Sequence, residues 1–213
     1  MRPLIIYGAG GHAREIAKLV RDLGAGDSGW ATVAFVSDDS PGGSHGGVPV
    51  LSWREARAQA SQSPGVAIAV GSPSARRRIA ESLRGSDVSF PTLVHPSVSV
   101  DPTVTIGRGS MIAAGCILTV DIHIDEFVLL NRSCNVSHDC RIGPFSSLAP
   151  GTLLSGNVTV GEECDIGTGV CVAPGLEIGD GAIVGAGAAV ISALPANCTA
   201  VGVPARVIKT RDS

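Results

Sequence analysis

The stretch NVSHDC, residues 135–140, sets an imidazole beside a carboxylate at His138 and Asp139. A neutral imidazole can take a proton from an amine or hydroxyl as that group attacks an electrophile, because histidine titrates near working pH. A carboxylate beside it can hold the ring in one tautomer and steady the cation that forms. Two further stretches have residue types suited to a ligand. Gly8, Gly10, Gly11 and His12 lie in YGAGGH, directly after the apolar run at residues 4–7. A glycine-rich turn at a helix start offers free backbone N–H groups and the positive end of the helix dipole to a phosphate. Asp38 and Asp39 follow a second apolar run at residues 32–36, where they could meet a ligand or simply form a solvated turn.

The elements that must position these residues fall into two halves. Residues 1–90 alternate strand and helix. Residues 4–7 read as a strand, residues 15–22 as an amphipathic helix, residues 32–36 and 66–70 as strands, and residues 74–83 as a helix. SPGGSHGG at residues 40–47 is expected to lack regular structure. Alternation of this kind implies a small α/β, Rossmann-like domain with a parallel sheet, about half of a full dinucleotide-binding fold. That shortness argues against an NAD site at the glycine turn.

From residue 91 to 213 a different rule holds. Counting in sixes from Val94 to Val190, seventeen consecutive positions are Val, Ile or Leu. A period of six fits neither the 3.6 spacing of a helix nor the alternation of hairpins; it is the signature of an all-β parallel β-helix built from hexapeptides. Glycine often follows the ladder residue, as at 107, 143, 167 and 185, where it is expected to supply backbone freedom at the corner. A compact residue stands two before it, and Cys116, Cys134, Cys140 and Cys164 all fall in that slot. These thiols are therefore expected to be inert core residues.

Composition narrows the partners. Sixteen Lys and Arg against nineteen Asp and Glu give a net charge of -3, which lacks the basic footprint of a nucleic-acid binder. The N-terminal apolar run is too short for a signal peptide or a membrane span, and six cysteines without close pairing fit a reducing compartment, so a soluble cytoplasmic protein is expected.

The hexapeptide ladder, together with AVGVPARVIK at residues 200–209, resembles the left-handed β-helix acyltransferases. The N-terminal motifs YGAGGHAREI and FVSDD are similar to those of the subfamily joining a nucleotide-sugar-binding domain to the β-helix, the sugar O-/N-acetyltransferases. The resemblance implies a homotrimer with active sites between neighbouring coils. It also implies an acetyl-CoA-dependent N-acetyltransferase acting on a UDP- or GDP-linked 4-amino-4,6-dideoxy sugar for bacterial surface glycans, with no metal. Sialic acid O-acetylation and a non-catalytic sugar-nucleotide-binding β-helix are the alternatives.

Residue by residue, the resemblance makes His138 the general base with Asp139 as its partner and Gly156 a backbone donor to the thioester carbonyl. It places Asn131 near the acceptor sugar, and Gly8, Gly10, Gly11, His12, Asp38 and Asp39 around the nucleotide sugar. Ser147 stands where relatives often carry a second histidine that donates to the acetyl carbonyl. Gly167, Ala173, Gly185 and Arg206, with Lys209 beyond, are the region expected to meet coenzyme A. Of the other histidines, His45 is expected to be solvated, His95 to belong to the entry into the β-helix, and His123 to be surface or cleft-lining. A metalloenzyme reading needs several histidines around one ion, and His123 and His138 are fifteen apart in a coil of eighteen.

Overall fold

The computed structural model describes residues 2–24, 29–60 and 63–211. Its N-terminal part runs β1 (Arg2–Tyr7), α1 (Gly11–Asp22), β2 (Trp30–Val36), β3 (Ser44–His45), β4 (Val48–Leu51), α2 (Trp53–Gln59), β5 (Gly65–Ile68) and α3 (Pro73–Ser82). The sheet order is β3-β4-β2-β1-β5, parallel except for the β3–β4 hairpin. Leu4, Ile5 and Ile6 of β1 and Val66, Ala67 and Ile68 of β5 are all buried, the continuous apolar run that a sheet covered on both faces demands. On α1, Ala13, Ile16, Ala17, Leu19 and Val20 form the buried stripe.

The glycine-rich stretch is more ordered than its composition suggests. Ser44 and His45 pair antiparallel with Val48 and Pro49, and Gly46 and Gly47 between them take φ of 58° and 82°. Two adjacent glycines in the left-handed region are what a two-residue hairpin turn needs. Helix α2 is a further element not expected from the sequence: Ser52 and Glu55 make a capping box at its start, the Ser52 hydroxyl accepting from the Glu55 N–H while the Ser52 N–H donates to the Glu55 carboxylate at 2.9 Å.

After β6 (Leu93–Val94), two-residue strands recur every six residues from β7 (Thr105–Ile106) to β21 (Ala189–Val190). Each pairs in parallel with the strand one coil on, as in His123↔Arg141, Leu129↔Ser147 and Asn135↔Leu153. Three flat walls result, named here for His123, Ser147 and Leu153, and the chain visits them in that order. β22 (Cys198–Val201) joins the Ser147 wall, with β23 (Arg206–Thr210) antiparallel to it. The N-terminal domain sits on the Ser147 wall, where Leu93, Met111 and Leu129 share one core with Ile16 and Val20.

Ladder residues from Ile112 to Val190 all point into the coil, none more than 7% exposed. Val100, in the first coil, is 41% exposed because it forms no strand pair with a neighbouring coil. The compact slot has a sharper rule than size. Its Cys116, Cys140 and Cys164 thiols donate to the carbonyls of Asn131, Ser155 and Gly179 at 3.0 to 3.2 Å, and the Ser110 and Ser146 hydroxyls do the same at 2.7 Å. Residues that can donate to the next coil's corner suit the slot, so the buried cysteines are scaffold.

The glycines after the ladder serve a different purpose from the one expected. A Cβ on Gly143 would lie 2.6 Å from the Gly161 carbonyl carbon, and one on Gly167 2.6 Å from the Ala186 nitrogen, while neither residue has a positive φ. They are needed for close approach between coils, and the left-handed turn position falls elsewhere in the corner.

Candidate active site

His138 and Asp139 form the corner between β12 (Asn135–Val136) and β13 (Arg141–Ile142). Val136 and Cys140 are buried on either side and fix the corner, leaving both polar side chains in solvent. Asp139 takes φ of 61°, a left-handed position that aspartate tolerates better than most residues. Its N–H donates to the Val120 carbonyl at 3.3 Å, and the Asn157 N–H donates to the His138 carbonyl at 2.8 Å, so the coils on both sides clamp the turn.

The imidazole Nδ1 lies 2.8 Å from Asp139 Oδ2. A carboxylate there requires the proton on Nδ1, which leaves the Nε2 lone pair free to act as a base. The ring rests on Gly156 of the next coil. A Cβ at Gly156 would sit 2.4 Å from His138 Cε1 and 2.5 Å from Nε2. Glycine is therefore the floor of the base. The Gly156 N–H makes no hydrogen bond among the described residues and stays available as a donor.

Beside this corner runs an open groove of about 740 Å³, lined by Thr103, Thr105, Asp121, His123, Asp139 and Arg141 among others. His123 lines it but is already occupied: Nδ1 meets Thr105 Oγ1 at 2.7 Å and Nε2 faces Asp125 at 3.6 Å.

A second cleft, of about 320 Å³, opens between the two domains. His12, Gly71, Asn131, Ser147 and Asp165 line it. His12 Nδ1 faces Glu15 at 3.5 Å, and Glu15 is also bound to Arg132. Burial holds the His12 imidazole below its ordinary pKa, and its Nε2 is buried without a partner. A buried, neutral nitrogen with no bond is poised to meet a ligand. Gly10 caps α1 without any side-chain bond and the first turn has no acid, so the helix start offers its N–H groups outward. Gly8, at φ 122°, would drive a Cβ to 2.7 Å from the Ala69 carbonyl oxygen; no other residue lets β1 turn so close to the end of β5.

Two expectations change here. His45 is not solvated: its Nε2 meets the Ala9 carbonyl at 2.9 Å and its ring lies edge-on to Phe35, so the hairpin closes over the glycine turn. Asp38 is occupied structurally, accepting from Tyr7 Oη at 2.5 Å and from the Trp53 N–H, the first of α2, at 2.8 Å. Burial and the Asp38 carboxylate push the Tyr7 phenol pKa up. Asp39 beside it is exposed and faces outward. His95 links the β-helix entry to α1, through Ser97 at 2.8 Å and Asp22 at 3.3 Å.

Within one chain only part of the predicted company lies beside the base. Gly156 and Ala173 share the His138 edge, whereas Gly167 and Gly185 turn off the Ser147 wall at the opposite edge of the Leu153 wall. Arg206 is exposed on β23. Ser147 is buried under the N-terminal domain: its hydroxyl donates to the Gly71 carbonyl at 3.1 Å and accepts from Arg76 at 2.9 Å. With its single proton committed, it is not a free donor for a thioester. Arg76, whose role the sequence reading missed, carried no motif to mark it.

Comparison with known proteins decides the family. Residues 3–83 match the model of the PglD N-terminal domain. The acetyltransferase domain of PglB from Neisseria gonorrhoeae FA1090 is 33% identical over 98% of this chain and 100% of its own, with a TM-score of 0.88. This chain belongs to the left-handed β-helix sugar N-acetyltransferases. Two further members are similar throughout: PerB from Caulobacter crescentus, solved in complex with CoA and GDP-perosamine, at 34% identity over 97% of both chains and a TM-score of 0.88, and WeeI from Acinetobacter baumannii AYE, at 32% over 98% of this chain and 100% of its own, with a TM-score of 0.89. No curated protein sequence matches. As in the expected family architecture, a Rossmann-like domain precedes the β-helix, and among the described residues no helix is long and apolar enough to cross a membrane.

Proposed function

We propose that this chain transfers acetyl from acetyl-CoA to the amino group of a UDP- or GDP-linked 4-amino-4,6-dideoxy sugar for bacterial surface glycan synthesis, with His138 as general base. The observation that carries the reading is the His138 ring, oriented by Asp139 at 2.8 Å through Nδ1 and laid on Gly156 with Nε2 unengaged. The complex of PerB with CoA and GDP-perosamine supports this substrate class.

In this reaction the neutral amine attacks the thioester carbonyl and His138 Nε2 takes its proton. Negative charge grows on the carbonyl oxygen, and the Gly156 N–H is the donor in reach of it. Collapse of the adduct breaks the carbon–sulfur bond, the imidazolium returns the proton to the departing thiolate, and amide and CoA leave. Asp139 steadies the transient imidazolium. His12, Asn131 and the start of α1 hold the sugar and its phosphates in the interdomain cleft, and Gly167, Ala173, Gly185 and Arg206 border the path of CoA.

The base and the cleft lie on different faces of one protomer, so a complete site needs a neighbour. The Leu153 wall supplies a surface for one, with Ile117 57% and Leu153 41% exposed beside Cys171. We place the subunit contact of a homotrimer there, with the His138 corner of one protomer meeting the cleft of the next. The test is CoA release over a panel of UDP-, GDP- and dTDP-linked amino sugars, with CMP-sialic acid and free sialic acid as hydroxyl acceptors. The His138→Ala variant should retain its assembly and lose roughly 10²- to 10⁴-fold in turnover; near-normal turnover would remove His138 from the mechanism.

A further inference from the structure

Arg76, on α3, is fully buried at the boundary of the two domains. Its guanidinium donates to three places at once. Nε reaches the Phe127 carbonyl at 2.9 Å; Nη2 reaches the carbonyls of Phe145 and Ser146 and the Ser147 hydroxyl; Nη1 reaches the Val70 and Gly71 carbonyls at 2.8 and 3.2 Å. Phe127 and Phe145 are equivalent corner residues in consecutive coils, with φ of 56° and 60°, a region bulky side chains rarely adopt. No backbone N–H takes their carbonyls among the described residues, so the guanidinium alone satisfies them.

Among the described residues no carboxylate bonds this cation; every hydrogen-bond partner is a neutral oxygen, and burial lowers its pKa to about 10. Stability alone is a poor reason to keep such a charge, because an apolar side chain could fill the volume without desolvation. What an apolar residue could not do is fix two coils and one loop of the other domain in a single planar fork. That loop, Val70 and Gly71, follows β5 at the C-terminal end of the parallel sheet, where sheets of this kind bind ligands. Gly71 lines the interdomain cleft opposite Asn131, with His12 and Ser147.

We propose that Arg76 is a positioning residue that sets the width of the nucleotide-sugar cleft, by pinning the Val70–Gly71 loop to Ser147 and to the coil edge that carries Phe127 and Phe145, across the Ser147 wall from Asn131. The proposal rests on the acetyltransferase reading for its kinetic consequence, but its structural half stands apart from it.

The test uses the full chain with Arg76→Met and Arg76→Lys. Steady-state kinetics are measured for acetyl-CoA and for the nucleotide amino sugar best used by the wild type, and amide hydrogen exchange is followed in the unliganded protein. Arg76→Met should raise the KM for the nucleotide sugar about tenfold, the effect of one to two lost buried hydrogen bonds, and leave the KM for acetyl-CoA unchanged. Exchange should speed up at residues 70–72 and stay slow in the coils. Arg76→Lys, with the charge but not the fork, should recover part of both. The proposal is overturned if folded Arg76→Met keeps both the sugar KM and the protection of residues 70–72, or if only the fraction of active enzyme falls with both KM values unchanged. Should Arg76→Met not fold, Arg76→Lys decides by the same two measurements. If the wild type acetylates no nucleotide sugar, the functional reading fails by itself, and exchange at residues 70–72 still settles whether Arg76 pins the loop.

Discussion

Gly156→Ala isolates the placement of the base from everything else in the site. The added methyl carbon would lie 2.4 Å from His138 Cε1 and 2.5 Å from Nε2, where ordinary contact begins at 3.4 Å, so the ring must retreat by about 1 Å or swing away from Asp139. Gly156 has no positive φ and its corner is partly exposed, so the backbone accepts alanine and the fold should survive. The Gly156 N–H is also kept, so the oxyanion donor is not what the substitution removes. A displacement of that size at a reacting group costs on the order of 10²-fold in rate. The assay is kcat/KM for CoA release, with thermal unfolding in parallel and with His138→Ala and the double variant alongside. Because both changes act through one imidazole, the double variant should be no slower than His138→Ala alone. Activity of Gly156→Ala within twofold of wild type, or losses that multiply in the double variant, would refute the idea that Gly156 seats the base.

Two other measurements probe the frame. Burial depresses the His12 pKa below its usual 6.5, so the unfolded chain binds the extra proton first as pH falls; the stability this gives is present above about pH 6.5 and lost below it, through the folded-state value. Urea midpoints from pH 7.5 to 5 should therefore fall more steeply in wild type than in His12→Gln, and parallel curves would contradict the assignment. Of the six thiols only Cys171 is exposed on a single protomer, on the wall of the proposed subunit contact, so Ellman's reagent should titrate at most this one thiol in native protein and the other five only after denaturation. Cys140→Ser should cost no more than about 1 kcal/mol in a denaturant titration, since serine already donates to the next coil from this slot at Ser110 and Ser146. A second fast thiol, or a larger loss, would mean the slot is not the rigid scaffold position described.

The ladder, the slot and the two halves of the chain were legible in the sequence because each is a local rule repeated: a stacked aliphatic every six residues and a strand, turn and helix in order. The corner that bears His138 and Asp139 was legible for the same reason, since Val136 and Cys140 keep the period and the residues between must turn outward. The β3–β4 hairpin and α2 had signals of their own, the Gly46-Gly47 pair and the Ser52-to-Glu55 box, which composition alone obscured.

Contacts between coils and between domains could not be read this way. Ser147 follows His138 by nine residues, half of an eighteen-residue coil, which sends it across the prism to another wall and into the grip of Arg76. Gly156 follows by eighteen and so returns directly over the imidazole, where a Cβ would collide with it. The sequence by itself determined which residues repeat and which depart from the repeat. Only the stacking of coils, and the docking of a second domain on one wall, decided which departures meet, because those distances depend on residues that are neighbours in space and remote along the chain.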